Sequence, residues 1–318
     1  MIKLLDLILL GSGGGMPMPN RHLSSLLLSY QGRKILIDCG EGTQVAMRKM
    51  NTGFKSIDII CITHFHGDHI FGLPGLLSTI GNSDRTEPII IIGPHGLKAV
   101  LKGILITTYL PYDIYIIENS ETSLGFILDS KLLKLNEFQG NGKNDMIIDT
   151  IELEHSSPCV GYSFYFSRAP KFLIEKASLN NVPQDIWKRL QKGENVFYNG
   201  ELYEPNMVLG EERRGIKLSY ITDSRPVDAI PEFIKGSDLF VCEGTYGSDE
   251  DLDKAMKNFH MTFSEASKLA SKGEVKELLL THFSTSIENP EEYKEDAKKI
   301  FENTIIGYDG LEKTIRYQ

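Results

Sequence analysis

The run Thr63-His64-Phe65-His66-Gly67-Asp68-His69 constrains the fold of this chain more than any other stretch. It begins where the apolar run of residues 57–62 ends, so it sits at the carboxyl end of a strand. His64 and His66 are two apart, and in extended backbone their imidazoles point the same way. Gly67 lets the chain turn and brings Asp68 and His69 back toward the same pocket. Three imidazoles and a carboxylate within six residues make a poor core and a good site for zinc, which takes nitrogen and oxygen donors. The bland alternative is a polar loop that happens to be rich in histidine. Four ligand-type side chains at one strand end weigh against it.

One loop cannot fill two metal sites, so further ligands must come from other strand ends. His155 follows the apolar run 146–153, Asp223 ends the run 217–222, and His282 ends the run 277–281. In open α/β sheets the carboxyl edge of the strands is where ligands bind. Each of the three residues alone could be structural, but their joint placement points to metal. His22 and His95 lack this context and read as surface or loop residues. His260, in Phe259-His260-Met261-Thr262, opens a helix with Thr262 as N-cap, and a local role stands beside a catalytic one. The Gly11-Ser12-Gly13-Gly14-Gly15 run does not fit the dinucleotide fingerprint, because Met16 falls where the third glycine belongs and no helix pattern follows. It reads as a Gly-rich turn beside a substrate, or only a tight turn.

The order of elements fits an α/β sandwich of two mixed sheets with helices outside. Strand patterns fall at 2–10, 24–30, 34–39, 57–63 and 88–92, with helical patterns at 42–50, 71–80 and 95–107 between or after them. A strand-rich middle follows at 113–117, 124–128, 131–135, 146–153 and 161–166. Alternation then resumes with strands at 217–222, 239–243 and 277–281 and helices at 229–235, 264–272 and 290–301. Residues 169–210 break this rhythm with Pro170, Pro183, Pro205, the only tryptophan and a Lys188-Arg189-Gln191-Lys192 cluster. Composition alone favours a surface insertion with one amphipathic helix over an arm that grips a partner.

With 41% hydrophobic and 24% charged residues, the composition is that of a globular protein with a substantial core. No apolar run approaches the length of a membrane span, and the first residues lack the regions of a signal peptide, so a cytoplasmic protein is expected. Cys39, Cys61, Cys159 and Cys242 form no Cys-x-x-Cys pair and read as small core residues. The net charge of -9 argues mildly against a nucleic-acid partner, but a local basic patch can override it.

Together these residues resemble the metallo-β-lactamase superfamily and, within it, the ribonuclease Z family of tRNA 3′-processing endonucleases. The resemblance covers nearly the whole chain. It includes Leu10-Gly11-Ser12-Gly13, Asp38-Cys39-Gly40-Glu41-Gly42-Thr43-Gln44, the His64 loop with Gly72-Leu73-Pro74-Gly75-Leu76, and Gly93-Pro94. It continues through His155, Gly161-Tyr162, Asp223-Ser224-Arg225, Glu243-Gly244-Thr245, His260-Met261-Thr262 and Thr281-His282. It implies a four-layer αββα sandwich spanning residues 1–318, with 169–210 inserted as a tRNA-binding arm. It also implies that His64, His66 and His155 hold one zinc, that Asp68, His69 and His282 hold a second, and that Asp223 bridges them. Manganese would suit the same mixed donors. Asp68 would orient or deprotonate the nucleophile, and His260, supported by Glu243, would protonate the leaving 3′-oxygen.

By the same resemblance Lys188, Arg189 and Lys192 on the arm, and Arg21 in the early loop, would contact precursor tRNA. From Arg168 to Lys217 inclusive there are nine basic and seven acidic residues, so this stretch is slightly basic within an acidic chain. A homodimer is implied too, with arm and active site on different subunits. The chain departs from the family pattern at Val182-Pro183-Gln184, Thr222-Asp223-Ser224 and Pro17-Met18-Pro19-Asn20-Arg21-His22, none of which includes a change of metal ligand. Two other readings share the fold. One is a phosphodiesterase acting on cyclic nucleotides or small diesters; the other is a catalytically silent binding module, which would have no reason to keep seven costly polar ligands.

Overall fold

Period-two alternation sends the side chains of each strand to two different cores, and this produces the layers. The computed structural model describes residues 4–118, 123–129, 132–136 and 144–317. In the first half lie β1 (Leu4–Gly11), β2 (Ser25–Tyr30), β3 (Arg33–Ile37), β4 (Ile57–Cys61), β5 (Ile89–Gly93) and β6 (Ile114–Glu118). The middle holds β7 (Leu124–Asp129), β8 (Leu132–Leu135), β9 (Met146–Leu153) and β10 (Cys159–Arg168). A short hairpin, β11 (Val196–Tyr198) and β12 (Glu201–Tyr203), precedes β13 (Arg213–Ile221), β14 (Leu239–Glu243), β15 (Leu278–Thr281), β16 (Thr304–Ile306) and β17 (Leu311–Arg316). One seven-stranded sheet runs β17-β1-β2-β3-β4-β5-β6, and an eight-stranded sheet runs β16-β15-β14-β13-β10-β9-β7-β8.

Leu5, Leu7 and Leu9 of β1, Ile90 and Ile92 of β5, and Leu239 and Val241 of β14 enter one core between the two sheets. Their neighbours face outward to helices. Ile89 and Ile91 pack with α1 (Thr43–Lys49), α3 (Leu73–Gly81) and α4 (Leu97–Ile104), on the outer side of a sharp turn at α2 (Gly67–Ile70). Phe240, Cys242, Leu278 and Leu280 pack against helices of the second half. The order helix, sheet, sheet, helix is therefore written in the alternation itself. The four cysteines are buried and free, as expected of small core residues.

Between β10 and β13 the chain leaves the sheet and folds on itself. This arm carries α5 (Ile174–Leu179), α6 (Trp187–Gln191) and the β11–β12 hairpin, two helices where the sequence suggested one. Ala177, Val182, Ile186, Leu190, Val196, Tyr203, Val208 and Leu209 form its own core. Its two ends meet at a bridge between Phe172 and Leu209.

The remaining helices are α7 (Ile230–Ile234), α8 (Leu252–Asn258), α9 (Phe263–Lys272) and α10 (Lys294–Ile300). Besides the β11–β12 hairpin, two strands escaped the sequence pattern, β16 and β17. In β17 only Leu311 and Ile315 are buried, and charged residues occupy most of the rest, as suits a strand at a sheet edge. Residues 2, 3 and 131, which the expected strands included, lie outside the described residues.

Candidate metal centre

Six strands end over one cleft. Asp38 follows β3, the Thr63–His69 stretch follows β4, His155 follows β9, Asp223 follows β13, Glu243 closes β14 and His282 follows β15. His66 is extended (ψ 152) and caps α2, which begins at Gly67 and turns Asp68 and His69 back toward His64. Asp38, Asp223 and His282 all adopt positive φ, at 57, 51 and 57. Asp and His enter this region more readily than most residues, and such backbone clusters where function demands it.

Two sets of donors result. The ligand atoms of His64, His66, His155 and Asp223 lie within 4.8 Å of one another, as do those of Asp68, His69 and His282. Asp223 belongs to both neighbourhoods. Its Oδ2 lies 3.6 Å from His64 Nε2 and 3.9 Å from His155 Nε2. Its Oδ1 lies 3.4 Å from His69 Nε2 and 3.1 Å from His282 Nε2. Asp68 Oδ2 is 3.5 Å from both His69 Nε2 and His282 Nε2.

These residues fit a pair of divalent ions. Donors bonded to one tetrahedral ion at about 2.0–2.1 Å stand about 3.3 Å apart, close to the spacings here. His64 Nε2 is buried and has no hydrogen-bond partner among the described residues. A buried imidazole nitrogen left bare is costly unless something else occupies it. Burial also pushes the His64 imidazole well below its ordinary pKa, which favours the neutral form that ligates metal.

The surrounding residues hold these donors in place. Asp38 accepts from His69 Nδ1 at 2.8 Å, so the other ring nitrogen faces the cluster. Asp38 also accepts from the Thr63 amide at 2.8 Å. Thr63 Oγ1 lies 3.1 Å from His64 Nδ1. Metal-ligating histidines are commonly fixed through their second nitrogen in this way. The turn at Gly14-Gly15 lies directly against the cluster. A Cβ on Gly14 would fall 2.3 Å from the His282 ring, and the Gly15 amide donates to Asp68 Oδ2 at 2.6 Å.

Glu243 is fully buried. It accepts from Ser224 N (2.6 Å), Thr245 Oγ1 (2.5 Å), Met261 N (3.0 Å) and His260 Nδ1 (3.1 Å). Burial alone would lower the His260 imidazole, but the Glu243 carboxylate outweighs it and holds His260 at about 9. His260 Nδ1 is 4.0 Å from Asp223 Oδ2, and its ring stacks on His282 with centroids 5.5 Å apart. His260, His66, His155, Asp68, Asp223 and His282 line one cavity of about 290 Å³, and Lys257 and Phe259 close its rim.

The cleft thus gathers the seven expected ligands with His260 and Glu243. It does not gather the expected substrate contacts. Lys188, Arg189 and Lys192 are exposed on the arm, at and just past α6, and Arg189 pairs with Glu194 at 3.0 Å. Arg21 donates to the carbonyls of Ser284 (3.2 Å), Ile287 (2.9 Å) and Glu288 (3.3 Å), bracing that segment, and it does not line the cavity. Reading for ligands overlooked Asp38, Thr63 and Thr245. Asp38 was findable by the same rule, a carboxylate at the end of an apolar run.

The fold and this donor set define a metal-dependent hydrolase of the metallo-β-lactamase fold. The metallo-β-lactamase fold protein YhfI from Bacillus subtilis shares that fold, with a TM-score of 0.67 at 17% identity over 98% of this chain and 100% of its own. The chain is 61% identical over 317 residues to ribonuclease Z of Alkaliphilus oremlandii, covering 99% of this chain and 100% of that one. It belongs to the ribonuclease Z family. Ribonuclease Z of Clostridium perfringens is 58% identical over 316 residues, 99% of this chain and 100% of the other. The short form of human tRNase Z has a TM-score of 0.66 and 26% identity, over 98% of this chain and 99% of its own. Residues 5–192 also match the family described as "Anti-Pycsar protein Apyc1", a stretch that includes the ligands from His64 to His155 but ends before Asp223 and His282.

Proposed function

We propose that the chain is a zinc-dependent endoribonuclease that removes the 3′ trailer of precursor tRNA, leaving a tRNA 3′-hydroxyl and a trailer 5′-phosphate. Identity of 61% to ribonuclease Z along the full length carries this reading. His64, His66 and His155 would hold one zinc, Asp68, His69 and His282 the other, and Asp223 would be shared. When bound, the pair supplies Lewis-acid polarisation of the scissile phosphodiester and activation of water.

The chain's own residues do the rest. Asp68, fixed by the Gly15 amide, orients the attacking water. His260 is held through Nδ1 by Glu243, which leaves its Nε2 proton for the leaving 3′-oxygen. Arg21 braces the 284–288 segment beside the cleft. Lys188, Arg189 and Lys192 on the arm meet tRNA phosphates at a distance from the cut, within a single domain of residues 1–318 whose insert is 169–210. The chain works as a homodimer in the cytoplasm; no helix among the described residues is long and apolar enough to cross a membrane.

Competition between precursor tRNA and small diesters tests the reading. The proposal expects kcat/KM for a 3′-extended precursor to exceed that for 2′,3′-cyclic nucleotides or bis-p-nitrophenyl phosphate by several orders of magnitude, with a phosphate on the trailer end. Comparable values for the small diesters would move the function to that class.

A further inference from the structure

Resting on the reading of His260 as general acid, we infer that the ion pair Arg225–Glu265 is the positioning device that sets His260 against the metal ligands. Arg225 is where three parts of the cleft meet. Its guanidinium forks onto Glu265, with Nη1 donating to Oε2 at 2.9 Å and Nη2 to Oε1. Nη1 also donates to the His260 carbonyl. The Arg225 amide donates to the Glu154 carbonyl at 3.1 Å, and the two residues form an isolated bridge next to His155. Arg225 itself lies two residues after Asp223. One residue therefore ties the strand ends that carry Asp223 and His155 to the loop that carries His260.

Glu265 completes the link from the other side. It forms the capping box of α9 with Thr262, accepting from the Thr262 amide at 3.0 Å while its own amide donates to Thr262 Oγ1 at 3.3 Å. His260 is also held by the Ala255 carbonyl through its amide, and at Nδ1 by Glu243 and, at 3.3 Å, by Thr245 Oγ1. Both partners of the pair are mostly shielded, with side chains 15% and 16% exposed, so the fork is not an idle surface contact. Neither residue lines the cavity beside the donor sets. Their effect reaches the reaction through where His260 stands.

The test uses Glu265→Gln and Arg225→Lys in the metal-replete enzyme. Glutamine still serves a capping box, so Glu265→Gln keeps the helix start and breaks the fork. Lysine keeps the charge but loses the bidentate geometry. Each variant is assayed on precursor tRNA, whose leaving 3′-oxygen needs a proton, and on bis-p-nitrophenyl phosphate, whose nitrophenolate does not. Zinc content and thermal unfolding are measured alongside.

We expect kcat on precursor tRNA to fall by on the order of 10- to 100-fold with KM little changed. Zinc content and diester hydrolysis should stay within about twofold, the spread of an unperturbed metal site. Glu265→Gln added to His260→Ala should slow the reaction no further. Equal losses on both substrates, or additive losses in the double variant, would overturn the inference. If His260→Ala alone fails to separate the two substrates, the general-acid reading falls and this inference falls with it. If His260→Ala separates them while Glu265→Gln behaves as wild type, only the positioning role is lost.

Discussion

Asp223 faces both donor sets with different oxygens, and few residues could do this. Its φ of 51 is tolerated by aspartate and would strain a β-branched residue. The histidines around it depend on their second nitrogens, and Asp38 is the clearest case because it fixes the His69 ring. Asp38→Asn should weaken metal binding by about 10- to 100-fold, the usual cost of losing such a partner. Competition with a graded series of chelators measures this, and excess zinc should restore cleavage. Unchanged affinity would mean that Asp38 holds only the Thr63 backbone. Gly14 makes a second residue-scale prediction. A methyl group there would fall 2.3 Å from the His282 ring, so Gly14→Ala must push His282 away from Asp68 and His69. Metal bound per chain in that variant should fall below that of the wild type.

The arm is built as a separable element. Its apolar residues form a core of their own, and its ends are joined at Phe172 and Leu209 and by the Gly210 amide on the Lys171 carbonyl. Replacing residues 172–209 with a short Gly-Ser linker should therefore leave the sandwich folded and the metal site loaded. Hydrolysis of bis-p-nitrophenyl phosphate should persist, while kcat/KM for precursor tRNA falls by orders of magnitude. Loss of both activities together, or of neither, would contradict the role proposed for the arm. If Lys188, Arg189 and Lys192 meet phosphates, binding by the intact enzyme should weaken steeply with salt and that slope should flatten without the arm.

Across the whole molecule, the cleft exists because two sheets bring the carboxyl ends of β3, β4, β9, β13, β14 and β15 to one side. That much was legible in the chain: an apolar run followed by His155, Asp223 or His282 marks a strand end that brings a candidate donor to the cleft. The Arg225–Glu265 pair was not legible, because its members lie 40 residues apart and meet only when the sheet is assembled. The brace that Arg21 makes was not legible for a related reason, since its partners are carbonyls of residues 284–288 and backbone leaves no mark in side-chain pattern. The two C-terminal strands were missed because an edge strand needs few apolar residues. Metal should also stabilise the folded chain, because the donors crowd together only in the native state. Chelated protein should unfold at a lower temperature, and added zinc should restore the original transition.

The central claim is that this metal centre cuts precursor tRNA, and cleavage of a 3′-extended precursor by purified wild type and Asp68→Ala tests it most directly. The account predicts a single wild-type cut just after the discriminator nucleotide, absent in the variant. No cut by the wild type, with bis-p-nitrophenyl phosphate still hydrolysed in an Asp68-dependent way, would keep the metal centre and contradict the assignment to tRNA.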